Sequence, residues 1–278
     1  LKRISKIVDL EKRMEKVSYA DLVKIESELL KDGVSANTIS VYLRSMRSIY
    51  NKAIKMDLVD QIYYPFHKFA IKQTKTMPRN ISLQDMQKYF ALKLPFSHRY
   101  QKAYIIGKLI FLLCGINLKD LLLLNKDNIR GDRIVYQRSK TKRLYSVKIL
   151  PETKMILEPM LKHSGETLLC VLDNYLKYYK DSISFEAKYT EKRKLINKHL
   201  KWISFFAYID DKITSYTFRY SFANIAKDIG VSNEIIAALL GHSYGNAVTS
   251  IYLNNYNQEE LDKAHEMIVN AVLKNPQI

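Results

Sequence analysis

The sequence predicts a mainly α-helical protein with one small β-hairpin, an α+β fold in two domains. Glycine is sparse, at 8 of 278 residues, and apolar residues recur mostly at helical spacing. Two runs rich in β-branched and aromatic residues, 133–137 and 144–150, flank the basic turn RSKTKR and indicate a hairpin packed on helices. The polar segment KQTKTMPRN at 72–80 is typical of a linker. We therefore predict domains at 1–77 and 78–278.

The first domain is predicted to be helical, with a buried stripe and a basic exterior. Ser18 is the expected N-cap of a helix that reaches Leu30 and ends at Gly33. Ser35 begins a longer helix, whose apolar face comprises Ile39, Tyr42, Leu43, Met46, Ile49, Tyr50 and Ile54. Its other face carries Arg44, Arg47, Lys52 and Lys55.

The second domain is predicted to place the hairpin among helices. Ser82 is the expected N-cap of a helix over 83–90, and an apolar helix follows near 104–114. Asn117 is a good N-cap for a short helix over 118–124. Pro151 begins another helix, the rest to residue 273 is mainly helical, and Trp202 is predicted to lie in the core.

The chain is strongly basic, with 45 Lys and Arg against 28 Asp and Glu and a formal net charge of +17. The excess is not a tail, because residues 1–76 already carry 15 basic and 9 acidic side chains. Such an imbalance favours a polyanionic partner, whose binding would release condensed counterions. A merely basic soluble protein is the alternative on charge alone.

Composition also argues against a membrane protein, a secreted protein and a metal site. No apolar run approaches the roughly 18 residues needed to span a bilayer, and the charged start, which lacks Met and indicates trimming, is unlike a secretory signal. Cys114 and Cys170 are the only cysteines, and the six histidines form no metal pair at helical spacing. We therefore expect a cytoplasmic protein without membrane attachment, metal or cofactor.

Three segments near the carboxyl end contain the candidate catalytic residues. They are TSYTFRYSFANIA at 214–226, with Arg219 in an amphipathic helix; LLGHS at 239–243, with His242 after a helix end; and SIYLN, with Tyr252 ten positions after His242. In order and spacing they resemble the signature of tyrosine recombinases of the phage-integrase family, and the overall impression is closest to integrases of Bacteroides-type mobile elements. The chain is thereby expected to be a site-specific DNA recombinase.

The resemblance implies a role for each matching residue. Tyr252 would attack a scissile phosphate and form a 3′-phosphotyrosyl bond. Arg219 would hold the nonbridging oxygens with a forked guanidinium, and His242 would bind a phosphate oxygen or position the nucleophile. Lys140 in the hairpin turn matches the lysine that protonates the leaving 5′ oxygen, and Lys142 is the alternative and a DNA-backbone candidate.

Two positions depart from the family pattern. In GINLKDLL, Asn117 occupies the place of the family's first catalytic arginine, although Asp120 matches the acidic residue that follows. Tyr216 stands where the family usually has a histidine, three residues before Arg219. We hypothesise that a nearby cation fills the gap at residue 117, the candidates being Lys119, Arg130 and Arg138.

The resemblance further implies a core-binding domain of the SAM-like helical type at 1–77, a catalytic domain at 78–278, and a clamp around double-stranded DNA. Arg44, Arg47, Lys52 and Lys55 would contact the DNA backbone. The helix predicted over 259–273 carries an apolar face of Leu261, Ala264, Ile268, Ala271 and Val272. That face either packs within the chain or docks on a neighbouring protomer in a synaptic tetramer, and we favour docking on a neighbouring protomer.

Two other classes remain open. Residues 222–240 resemble a helix-turn-helix DNA reader, with Asn233 and Glu234 facing bases, which would make the protein a regulator. That class leaves Tyr252 and the LGHS turn unexplained. A recombinase relative that lost catalysis with the first arginine, and is retained for DNA binding, is the third class.

Overall fold

The chain divides into two units, residues 1–77 and 78–278, each with its own hydrophobic core. The structure, a computed structural model, describes residues 4, 7, 12–74, 79–95, 97–162, 164–176, 182–241 and 257–274. Within that part of the chain, no helix has the length and apolar character to cross a membrane.

The first unit is built on two helices, α1 (Tyr19–Lys31) and α2 (Ala36–Lys55), with single 3-10 turns at Met14–Lys16 and Gln61–Tyr63. As predicted, Ser18 and Ser35 are the N-caps, each accepting a hydrogen bond from the backbone N–H three residues on. Asp21 completes a capping box with Ser18. A hydrogen bond from Lys12, followed by one from the Ser18 backbone, lowers the pKa of Asp21 to about 2.

The core of the first unit lies between α1 and α2. It comprises Leu22, Ile25 and Leu29 on α1 and Ile39, Leu43 and Tyr50 on α2, with Phe66 and Phe69 beyond. Ile49, predicted on the apolar face, is instead 54% exposed. Each residue of a helix turns by about 100°, so the residue beside Tyr50 points well away from the stripe.

The second unit begins with α3 (Leu83–Ala91), α4 (Gln101–Leu112) and α5 (Leu118–Leu123). Ser82 and Asn117 are the N-caps of α3 and α5, as predicted. Helix α4 is apolar nearly all round and forms the centre of the unit, where it packs against α5 and three later helices.

A small antiparallel sheet follows α5, formed by β1 (Ile129–Arg130), β2 (Arg133–Gln137) and β3 (Leu144–Lys148) in that order. The predicted hairpin is confirmed as β2 and β3, and β1 adds a short strand. In the register, Ile134 pairs with Val147 and Tyr136 with Tyr145. The two tyrosine rings stack with centroids 5.2 Å apart, so one face of the hairpin is aromatic.

The other helices among the described residues are α6 (Pro151–Leu161), α7 (Asp173–Leu176), α8 (Ser182–Phe206), α9 (Ser215–Asp228), α10 (Asn233–Leu240) and α11 (Gln258–Leu273). Helix α4 contacts α6, α8 and α9. On α8 the buried apolar side chains are Phe185, Tyr189, Ile196, Leu200 and Ile203, at helical spacing. Trp202, predicted in the core, lies off that stripe and is 48% exposed.

Helix α11 packs within its own unit against α3, α9 and α10. Its buried residues are Ala264, His265, Ile268, Val269 and Val272. A two-pronged ion pair from Arg133 on β2 to Asp262, with N–O distances of 2.7 and 2.9 Å, fixes it to the sheet. Most of the predicted apolar face therefore turns inward in this chain.

Candidate active site

The site is built around Arg219, in the second turn of α9. Its side chain is buried, at 7% exposure, yet carries a full charge. One guanidinium nitrogen, Nη1, donates to the carbonyl of Gly115, and Nη2 donates to the carbonyl of Leu240 at 2.6 Å. The guanidinium thus joins three segments: the turn before α5, helix α9, and the carboxyl end of α10.

Gly115 allows this close approach. Its φ is +67°, in the left-handed region that favours glycine, and a Cβ there would lie 3.0 Å from Cγ of Arg219 and 3.3 Å from its Cα. A side chain at residue 115 would push against the arginine stem and the Leu240 side chain. The glycine therefore brings the turn before α5 against Arg219.

A second guanidinium reaches the same helix end from the hairpin. Arg138 follows β2, and its Nη1 donates to the carbonyl of Gly241 at 3.3 Å. Burial, followed by the charge of Arg138, lowers the pKa of Arg219 from its ordinary value. Two cationic side chains therefore lie side by side on consecutive carbonyls, 240 and 241, where the partial negative charge of α10 stabilises them.

The hairpin turn is anchored by Asp120 on α5. Its buried carboxylate accepts a hydrogen bond from the backbone N–H of Ser139 at 2.9 Å. Within the turn, Arg138 donates its N–H to Arg143 and accepts from the N–H of Lys142, both at 2.9 Å. Lys140 is exposed at the tip, directly beyond this fixed backbone. Its long, flexible side chain extends into solvent from the turn.

Helix α10 ends at Gly241, which has a left-handed φ of +67°. A methyl group at this glycine would overlap the phenol of Tyr145. The Tyr145 hydroxyl is buried and has no hydrogen-bond partner among the described residues. The helix end therefore presents two guanidinium groups and one hydroxyl near the start of the LGHS turn.

His242 and Tyr252 lie outside the described residues, as does the segment between them. Across the described chain, no group of His, Cys, Asp and Glu is arranged to hold a metal ion.

Comparison with known proteins identifies the fold. Residues 7–71 match the phage integrase SAM-like domain. The chain is similar to a lambda integrase dimer bound to a COC′ core site, at 11% identity over 91% of this chain and 85% of that one, with a TM-score of 0.64. The Tn1549 transposon integrase in complex with circular intermediate DNA gives 15% identity, 95% and 90% coverage and a TM-score of 0.58. The chain has the tyrosine-recombinase fold.

A third similar structure is the XerH site-specific recombinase bound to its difH substrate, with 14% identity, 93% and 74% coverage and a TM-score of 0.58. No curated protein matches the sequence. The predicted α+β architecture and the resemblance to tyrosine recombinases are confirmed. The closer likeness to Bacteroides-type elements stays a prediction.

Within this fold, the structure also places the residues that depart from the family pattern. Asn117 Oδ1 caps α5 by accepting from the N–H of Lys119 at 3.2 Å. Tyr216 is 50% exposed in the first turn of α9, its ring against that of Tyr220, and it interacts electrostatically with Arg219. Neither position supplies a positive charge at neutral pH.

The basic candidates of the first unit share one side of α2. Arg44, Arg47, Lys52 and Lys55 are all exposed. The 100° helical step places them within about 140° of one another, with Arg47 at the edge of the buried side. Four positive charges thus line an arc of one rigid element, as a contact with an extended polyanion requires.

Sequence reasoning missed Tyr145, whose buried hydroxyl lies at Gly241. A signal was present: Tyr136 and Tyr145 are equally far from the centre of the basic turn, which pairs them across a short hairpin. Paired aromatic residues on one face of a hairpin usually pack against another element. What they pack on is set by the tertiary fold, because residues 145 and 241 are almost a hundred positions apart.

Proposed function

We propose that the chain is a site-specific DNA recombinase that cleaves and rejoins DNA through a 3′-phosphotyrosyl intermediate on Tyr252. The observation that carries the proposal is the pair of guanidinium groups, Arg219 and Arg138, at the end of α10 directly before His242. Two like charges that lie close together repel each other, so an anion bound beside them would be stabilised by both. In the tyrosine-recombinase fold, the anion is a DNA phosphate.

The chemistry follows from these groups. The Tyr252 oxygen loses its phenolic proton to solvent and forms a bond to phosphorus. The bond from phosphorus to the 5′ oxygen breaks at the same time, and Lys140 gives that oxygen its proton. Negative charge gathers on the two nonbridging oxygens, where Arg219 and His242 donate hydrogen bonds. The 5′ hydroxyl of another strand then reverses the step, so phosphodiester energy is conserved without a nucleotide cofactor.

The first unit supplies affinity in this proposal, through the basic side of α2. Contacts between Arg or Lys and phosphates make the logarithm of affinity fall linearly with the logarithm of salt concentration, by about 0.9 per contact. We expect the double variant Arg44→Ala, Arg47→Ala to reduce that slope by up to about 2 between roughly 50 and 200 mM salt. The control pair is Lys24→Ala and Lys31→Ala on α1.

Assembly and location complete the proposal. The protein acts in the cytoplasm on double-stranded DNA, and four protomers join two duplexes. Because α11 packs within its own unit through most of its apolar side chains, a neighbour would contact its outer side, where Met267 is 45% exposed. A variant ending at Asn257 that still assembles on paired sites would exclude this role for α11.

The test is covalent trapping. Duplexes with a randomised central segment are first enriched by binding to the protein, and nicked suicide substrates are then made from the enriched sequence with the nick at each position in turn. We expect an adduct that survives denaturation with the wild type and with Tyr208→Phe, an exposed control tyrosine. Tyr252→Phe should bind DNA but form no adduct.

A recombinase relative without catalysis is the second candidate, favoured by the neutral Asn117 at the first arginine position. It predicts tight binding to the enriched sequence and no adduct from the wild type. A helix-turn-helix regulator predicts the same, with protection of a short palindrome by a dimer. The SAM-like domain match and the tyrosine-recombinase fold support the enzyme over the regulator.

A further inference from the structure

The proposed phosphate pocket lacks a positive charge at residue 117, where the family has an arginine. Asn117 is neutral, and its side-chain oxygen is occupied as the cap of α5. A phosphoryl-transfer transition state with one arginine in place of two loses a fixed donor at a developing charge. Loss of one such donor costs about 10²–10³ in rate. Another cation at this place would recover that loss in rate.

Lys119 is held elsewhere. Its ammonium forms an ion pair with Glu186 on α8 and lies 5.4 Å from the ring centroid of Phe185 and 5.8 Å from that of Tyr189. Moving it to the phosphate would break the ion pair and both ring contacts.

Arg130 lies at the wrong end of the sheet. It pairs with Arg133, at the start of β2, whereas the turn that approaches α10 follows the end of β2. Five residues of extended strand separate those ends by about 16 Å. Arg130 is also exposed, and within the described residues no hydrogen bond or ion pair directs it toward the site.

Arg138 is at the right place. Its Nη1 donates to the carbonyl of Gly241 at 3.3 Å, while Nη2 of Arg219 donates to the adjacent carbonyl of Leu240 at 2.6 Å. A guanidinium has five N–H donors, and this one bond of Arg138 leaves others for a phosphate. The backbone on both sides of Arg138 is held by the turn and by Asp120, which orients the side chain before substrate binds.

We propose that Arg138 is a catalytic residue that supplies the second guanidinium of the phosphate pocket, in place of the arginine missing at residue 117. This inference rests on the recombinase function proposed above. Arg219 and Arg138 would bind the two nonbridging oxygens from neighbouring positions. The Tyr145 hydroxyl, buried beside Gly241 without a partner among the described residues, would donate a further hydrogen bond.

The experiment compares Arg138→Ala with the control Arg130→Ala on the suicide substrate. We expect Arg138→Ala to slow adduct formation by about 10²–10³-fold, to change DNA affinity by only a few-fold and to leave the melting temperature unchanged. Arg130→Ala should cleave at the wild-type rate. Arg138→Lys should recover only part of the rate, because an ammonium cannot match the forked geometry.

A second substrate separates catalysis from positioning. Replacing one nonbridging oxygen of the scissile phosphate by a methyl group removes the negative charge that Arg138 would neutralise. We expect this methylphosphonate to restore cleavage by Arg138→Ala, and the added change Asn117→Arg to restore cleavage of ordinary DNA. A residue that only holds the Gly241 turn would show neither rescue.

The outcomes are distinguishable. Wild-type cleavage with an unimpaired Arg138→Ala variant overturns the assignment of Arg138 and leaves the recombinase function intact. Impaired cleavage that the methylphosphonate does not restore also overturns it, because Arg138 then acts through the turn. A wild-type protein that forms no adduct on any nicked substrate overturns the recombinase function, and this assignment with it.

Discussion

His265 makes the stability of the second unit depend on pH. It lies on α11 at 1% exposure, and its Nε2 donates to the carbonyl of Leu112 at 2.8 Å. Nδ1 has no partner among the described residues, so protonation would bury an N–H without an acceptor. Burial, opposed by the Leu112 hydrogen bond and the charge of Asp262, lowers the pKa of His265 to about 4.

The direction and size of the effect follow from this pKa. In the unfolded chain the imidazole takes up a proton near pH 6.5, whereas in the folded chain it does so only near pH 4. Between these values the unfolded state binds the proton and the folded state does not. The free energy of unfolding therefore falls by about 1.4 kcal/mol for each pH unit of acidification between these values, or about 3 kcal/mol in total. Above pH 6.5 the imidazole is neutral in both states, and none of this stability is lost.

Urea denaturation at a series of pH values measures this slope. Trp202 is the only tryptophan and lies in the second unit, so its fluorescence reports on that unit alone. His265→Gln keeps a donor for the Leu112 carbonyl and removes the titration. We expect this variant to be less stable at pH 7 but to lose about 3 kcal/mol less between pH 6.5 and 4. Equal slopes in the two proteins would refute the assignment to His265.

Two further variants probe the sheet, α11 and the end of α10. Asp262→Asn removes the charge from the ion pair that fixes α11 to β2, whose partners are only 18–20% exposed. We expect it to lower the free energy of unfolding by about 2 kcal/mol. The control Glu191→Gln, in an exposed ion pair on α8, should change that free energy by less than about 0.5 kcal/mol. Gly241→Ala adds left-handed strain of about 1 kcal/mol and an overlap with Tyr145, so adduct formation should fall more than DNA affinity. Gly131→Ala, with similar φ and open space, controls for strain alone, and equal cleavage by both glycine variants would exclude the Tyr145 contact.

The local structure was readable from the sequence because it is set by local rules. All four predicted N-caps do cap helices: Ser18, Ser35, Ser82 and Asn117. A short polar side chain directly before an apolar repeat can accept a hydrogen bond from a free N–H of the first helical turn. The hairpin was predicted from two runs of β-branched and aromatic residues separated by a short basic turn. The errors at Ile49 and Trp202 share a cause: an apolar neighbour along the chain was counted with a stripe that helical geometry places about 100° away.

The site was only partly readable, because its partners come from distant segments. The motif identified Arg219, but nothing local showed that its guanidinium would bind carbonyls 104 and 21 residues away. Lys119, Arg130 and Arg138 were equivalent candidates as sequence, since all three are cations near residue 117. Only tertiary structure separates them: Glu186 holds the first, the sheet carries the second away, and the hairpin turn delivers the third to α10.

Under the proposed function, Arg219 would have a structural role and a catalytic role that one substitution cannot separate. Its bonds to Gly115 and Leu240 hold together the turn before α5 and the end of α10. Truncation would leave those carbonyls without a charged donor and would also remove the proposed phosphate ligand. Arg138, with a single side-chain bond of 3.3 Å, contributes much less to the fold. A loss of cleavage in Arg219→Ala is thus expected with a loss of stability, whereas Arg138→Ala should lose cleavage alone. For that reason the charge requirement of the pocket is better measured at Arg138 than at the residue the motif makes most conspicuous.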